Sequence, residues 1–177
     1  MERYVWLFPI LFIFHDIEEI IGLGIWFKKN QVILTEKYPM IGKMYQNYST
    51  EGMAVAVLEE FLLAVLFCLL GIVTQNRVCW LLWLGVFAAY AFHLFIHIVQ
   101  AAILRTYIPA LLTSLIALPI SVRIMIDVKE VLHYSIGELA VFGILGLVIV
   151  GVNLKVAHFL MHRFTIWMKA LQMNEKV

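Results

Sequence analysis

The chain repeats apolar runs of a length that leaves one class of fold open to it. Roughly 20 mainly apolar residues cross the hydrocarbon core of a bilayer as a helix. The sequence holds five such runs, at about 4–27, 53–73, 78–104, 108–126 and 135–155. Helices are the implied spanning form, because lipid offers the backbone no hydrogen-bond partners. The expectation is an all-α integral membrane protein, with about five transmembrane helices forming a compact bundle. A single polytopic domain would cover 1–177, with a cytoplasmic loop at 28–52 and an interfacial segment at 156–177. Pro119 falls inside the fourth run and is expected to break it. The first run is too long and too charged at its centre for a cleavable signal peptide, and is expected to remain in the mature protein.

Composition agrees with this class. The chain is 63% hydrophobic and 14% charged, with a mean hydropathy of +0.93. A net charge of +1 and the lack of any large basic patch exclude a nucleic-acid partner and leave membrane lipid as the surroundings. Cys68 and Cys79 lie in or beside apolar runs and form no CxxC, so they read as packing residues. With five spans, nine of the 13 basic residues fall on one face: Lys28, Lys29, Lys37, Lys43, Arg105, Lys155, Arg163, Lys169 and Lys176. Arg3, Arg77, Arg123 and Lys129 fall on the other. The positive-inside rule then puts the amino terminus outside the cell membrane and the carboxyl terminus in the cytoplasm. The glycosylation triplet Asn47-Tyr48-Ser49 would lie on the cytoplasmic side, as a chance match. Most of the five tryptophans sit near span ends, as interfacial anchors do.

Against this background the stretch His15-Asp16-Ile17-Glu18-Glu19 is costly. With Glu59 and Glu60 in the second span it places five carboxylates at membrane depth, and each central acid costs about 2.5 to 3.5 kcal/mol to insert. No Lys or Arg lies in the first three spans to offset them, so protons, water or a bound cation must. At 100° per residue, His15, Glu18 and Glu19 fall within about a third of the helix circumference, and Asp16 points elsewhere. His93 and His97 stand one turn apart on a third-span face that also carries Tyr90 and Gln100. An i, i+4 histidine pair is a chelating geometry for a first-row metal. Counted from the cytoplasmic ends, Glu18, Glu59 and His97 all lie roughly 9 to 14 Å deep, so three helices deliver candidate ligands to one level. Gly22, on the His15 face, would admit a close neighbour. Glu59 and Glu60 point about 100° apart, which leaves room for one of them to act as a supporting or interhelical group in place of a ligand. Asp16, Tyr90 and Gln100 read as supporting groups around it. A second i, i+4 pair, His158 and His162, sits among Lys155, Arg163 and Lys169 with no nearby carboxylate, and reads as part of an interfacial helix.

These residues carry a resemblance. His15-Asp16-Ile17-Glu18-Glu19 followed by His93-Leu94-Phe95-Ile96-His97 resembles the HXXEE family of small integral membrane proteins, whose hallmarks are HxxEE, NxxxE and HxxxH motifs. Arg105-Thr106-Tyr107-Ile108-Pro109, with Thr113 after it, is similar to that family's RxYxPG stretch. The chain departs from the pattern in two places: Ala110 follows Pro109 in place of glycine, and Val55 and Ala56 stand where the NxxxE asparagine would precede Glu59 or Glu60. The resemblance implies a metal-dependent membrane enzyme without naming its reaction.

The candidate ligands for a divalent metal are His15, Glu18, Glu19, Glu59, Glu60, His93 and His97. One zinc ion held by the three histidines and a glutamate would leave another of Glu18, Glu19, Glu59 and Glu60 as general base, the arrangement of a hydrolase acting on a lipid or other amphiphile. The same residues suit a di-iron site of the bundle type, which would oxidise a lipid. Hydrolysis is favoured because it needs no electron donor. A metal or proton transporter is the third reading, although the paired half-repeats or two broken helices usual in transporters are missing. Nothing in the sequence indicates an oligomeric state.

Overall fold

The computed structural model describes residues 1–37 and 48–174. Lys43, Asn47 and Lys176, invoked above for orientation and glycosylation, lie outside the described residues. The described residues form helices α1 (Glu2–Val5), α2 (Leu7–Lys37), α3 (Thr50–Thr74), α4 (Arg77–Leu104), α5 (Leu111–Leu132) and α6 (Ile136–Asn174), with no strand among them. Helices α3 to α6 are each long and apolar enough to cross a membrane. Helix α2, at 31 residues, has the length but carries Asp16, Glu18 and Glu19 in its apolar stretch. Five long helices thus stand where five apolar runs were read.

Local chemistry accounts for the ends. Ser49 caps α3 by accepting from the Gly52 N–H at 2.9 Å, and Asn76 caps α4 by accepting from the Val78 N–H at 2.8 Å. Gln75, Arg105 and His133 end their helices in the left-handed region, each returning its N–H to a carbonyl four residues back. One expectation changes here. Pro119 lies inside α5 without breaking it, since one lost backbone bond is tolerated in a helix packed among others. Residues 156–174 continue α6 without interruption.

Helix α4 is the axis of the bundle, packing on α3, α5 and α6. Its contact with α6 is made by backbone: a Cβ on Gly85 would stand 2.0 Å from the Phe142 carbonyl oxygen, and one on Gly146 would stand 2.1 Å from that of Gly85. Small residues at a crossing let two helices approach this closely. Trp80 covers Gly71 of α3, and Trp83 stacks on Phe87 with centroids 5.1 Å apart, both rings wholly buried. Trp80, which fills the slot that Gly71 opens, and Trp83, stacked on Phe87, are therefore core residues and not interfacial anchors. Cys68 and Cys79 are free thiols, as expected, and Cys68 Sγ donates to the Val5 carbonyl. Helix α2 packs on α3 and α5 but meets α4 mainly through side chains, and the buried His15 and Glu19 of α2 meet the buried His97 of α4 there.

Candidate metal centre

His15 and Glu19 on α2 face His93 and His97 on α4, each pair one turn apart and so on one face of its helix. One ligand atom from each of the four lies within 4.8 Å of the others. His97 Nε2 is 3.0 Å from His93 Nε2 and also 3.0 Å from Glu19 Oε1. A single N–H cannot serve both directions at full strength. The His15 ring stands edge-on to both α4 imidazoles, with centroids 5.4 and 5.1 Å away.

His15 is oriented from behind. Thr113 Oγ1 donates to Glu18 Oε2 at 2.6 Å and lies 3.1 Å from His15 Nδ1. A hydroxyl has one proton, so this oxygen accepts from His15 Nδ1–H. That fixes the tautomer in which Nε2 is a bare lone pair. His15 Nε2 is buried and has no hydrogen-bond partner. A buried lone pair beside two imidazoles and a carboxylate fits a divalent cation, and an imidazole steadied through its second nitrogen is the usual support of a metal ligand. Glu18 also accepts from the Thr113 N–H at 2.8 Å and from the Tyr107 hydroxyl. Tyr107, in the connection between α4 and α5, has its phenol pushed up to about 12 by desolvation and then by its bond to Glu18, so it remains a donor.

The helical wheel of α2 is corrected by this arrangement. Measured from His15 at 100° per residue, Phe8, Phe12, Asp16, Glu19, Leu23 and Trp26 fall between about 20° and 100°, and all line one cavity. Glu18, at about −60°, lies off that face and does not join the four donors. Asp16, expected to point elsewhere, is on the cavity wall with Glu19 and is buried. On α3, Glu60 lines the cavity, whereas Glu59 accepts from Asn153 of α6 at 3.0 Å. An asparagine thus meets a glutamate across helices, in a chain lacking one at the NxxxE position. Tyr90 donates to the Leu11 carbonyl at 2.8 Å, and Gln100 lies farther along the cavity, exposed. Gly22 faces Pro109, where an added Cβ would be 2.9 Å from the ring. The cavity has a volume of about 590 Å³ and runs between α2, α3, α4 and α6.

A family model described as "Protein of unknown function with HXXEE motif" matches residues 6–124 of the 177. The chain belongs to the HXXEE family. In this HXXEE protein the matched stretch holds all four clustered residues together with Glu18, Tyr107 and Thr113, and α6 lies beyond it. Neither a curated protein nor a solved structure shows significant similarity to the chain. The supporting roles of Tyr107, Thr113 and Asn153 were not read from the sequence. For the first two the available signal was their place in the stretch that follows the HxxxH motif.

Proposed function

We propose that this HXXEE protein is a membrane-embedded, metal-dependent hydrolase acting on a lipid or other amphiphile. One observation carries the reading: His15, Glu19, His93 and His97 converge within 4.8 Å at a cavity of about 590 Å³ with mainly apolar walls. Three imidazoles and one carboxylate are borderline nitrogen and oxygen donors in the number zinc prefers. A zinc ion held by them would supply Lewis acidity at the cavity wall. The chain's own residues supply the rest. Glu18 and Thr113 hold His15 in its accepting tautomer, and the apolar walls restrict water. Glu60 of α3 lines the same cavity as Glu19, where it acts as general base and takes up a proton at its carboxylate oxygen. Two of the four glutamates stand outside the donor group, Glu18 accepting from Thr113 and Glu59 from Asn153, which supports one ion over an iron pair. The excess of basic residues on one face supports an outside amino terminus and a cytoplasmic carboxyl terminus in the cell membrane.

The test is elemental analysis of protein purified in mild detergent, with an assay of ester, amide and phosphodiester amphiphiles with and without chelator. Zinc near one per chain and chelator-sensitive hydrolysis are expected. Iron near two per chain with an oxo-bridge absorption would replace hydrolysis by oxidation. Protein that neither holds nor takes up zinc would remove the reading.

A further inference from the structure

The cavity does not stop at the polar cluster. On α2 its lining steps back from Asp16 to Phe12 and Phe8, and on α4 from His93 to Tyr90 and Val86. On α3 it steps forward from Glu60 to Ala64. This inner end is closed by aromatic rings. Phe8 stands edge-on to Trp83 and Phe87, with centroids 6.2 and 5.3 Å away, and Trp83 and Phe87 are wholly buried. The other end reaches the surface, where Gln100, Ile103 and His158 line the cavity and are exposed. The polar cluster therefore lies between an open mouth and a closed apolar end.

We propose that the closed end is a tail pocket for one hydrocarbon chain of about eight carbons, with the polar group attached to that chain held beside Glu19, Glu60, His93 and His97. The inference rests on the hydrolase reading where it makes that polar group the reacting one, whereas the tail pocket itself needs no metal. Chemistry selects a hydrocarbon occupant. Among the described residues that line the closed end, the only side-chain polar group is the Tyr90 hydroxyl, already donated to the Leu11 carbonyl, and the Trp83 indole stands behind Phe8 outside the lining. A polar ligand group pushed past the cluster would lose its hydrogen bonds to water and find none in return. Depth sets the length. Between lining residues, His93 to Val86 is seven residues, about 10 Å at 1.5 Å per residue, and Asp16 to Phe8 is eight, about 12 Å, so the two helices give similar depths. With C–C bonds of about 1.5 Å, each adding roughly 1.3 Å along an extended chain, this depth holds about eight carbons.

The experiment measures saturable binding of neutral 1-alkanols, from about four to about sixteen carbons, to the purified detergent-solubilised protein. Binding is plotted against free aqueous concentration, and binding to empty micelles of the same composition is subtracted. Affinity should rise about fourfold per methylene, as burial of a methylene at ~0.8 kcal/mol gives, and stop rising near eight carbons. Val86→Phe, which fills the closed end, should move the break to shorter chains, and Phe8→Leu, which deepens it, should move the break to longer ones. Affinity that keeps rising beyond about twelve carbons, or an absence of saturable binding, would overturn the tail pocket. The wild-type profile decides this even if neither variant folds, and in folded variants an unmoved break would also overturn it. Zinc content is measured on the same samples. A break in protein that neither holds nor takes up zinc leaves the pocket standing and removes the hydrolase reading, and zinc without a break removes the pocket and leaves the hydrolase reading standing.

Discussion

His93/His97 and His158/His162 are both i, i+4 pairs on long apolar helices, and in isolation either suits a metal. Only the first is met from across a helix interface, where α2 places His15 and Glu19 within 4.8 Å. Among the described residues the second pair joins no such group, and His158 lies exposed at the cavity mouth. The comparison teaches that the spacing supplies two donors aimed one way, and that a binding site needs a second helix rotated to answer them.

The largest expected effect tests this contrast directly. On the proposed site His93→Ala and His97→Ala should each lower zinc affinity by at least about 100-fold, since each removes one of its four donors, while His158→Ala and His162→Ala should leave zinc content unchanged. Elemental analysis after dialysis against a weak chelator reads the difference. Equal losses from both pairs would mean the interface does not select the site.

The next effect separates neighbours on α2. Glu19→Gln should cost more zinc affinity than Glu18→Gln, because Glu19 lies 3.0 Å from His97 and Glu18 acts only through Thr113. Asp16→Asn should cost less than either, since Asp16 is on the wall but outside the four donors. Competition with a zinc indicator ranks them, and a dominant loss from Glu18→Gln would show that α2 is turned the other way.

A smaller effect is expected behind His15. Thr113→Val should lower zinc affinity by about tenfold, the low end for a group supporting a ligand, and Thr113→Ser should restore it. Rescue by serine separates the hydroxyl's role from simple packing.

The smallest effect concerns the backbone that carries Thr113. Ala110 has φ 77°, in the left-handed region that costs a residue with a Cβ roughly 1–2 kcal/mol. Glycine stands at this place in the RxYxPG stretch. Ala110→Gly should therefore raise thermal stability by up to about 1 kcal/mol without changing zinc content. A fall in melting temperature would show that the strain lies elsewhere.

Much of this molecule was legible in its sequence. The apolar runs determined a helical membrane bundle, because backbone polar groups in lipid can be satisfied only within the segment. The HxxxH spacing placed two imidazoles on one face, because a helix repeats every 3.6 residues. Intramembrane acids with no basic residue beside them marked α2 as the helix that needs a partner. Tertiary structure decided which way α2 turns. His15, Glu18 and Glu19 span an arc wide enough for either glutamate to face α4, and the choice depends on contacts from residues far along the chain. Thr113 and Tyr107 take Glu18, and Pro109 seats against Gly22. The same rotation brought Asp16 onto the cavity wall. Periodicity specifies angles within one helix and leaves free its rotation about its own axis. Packing across α3, α4 and α5 sets that rotation, and with it which donors converge at the cavity.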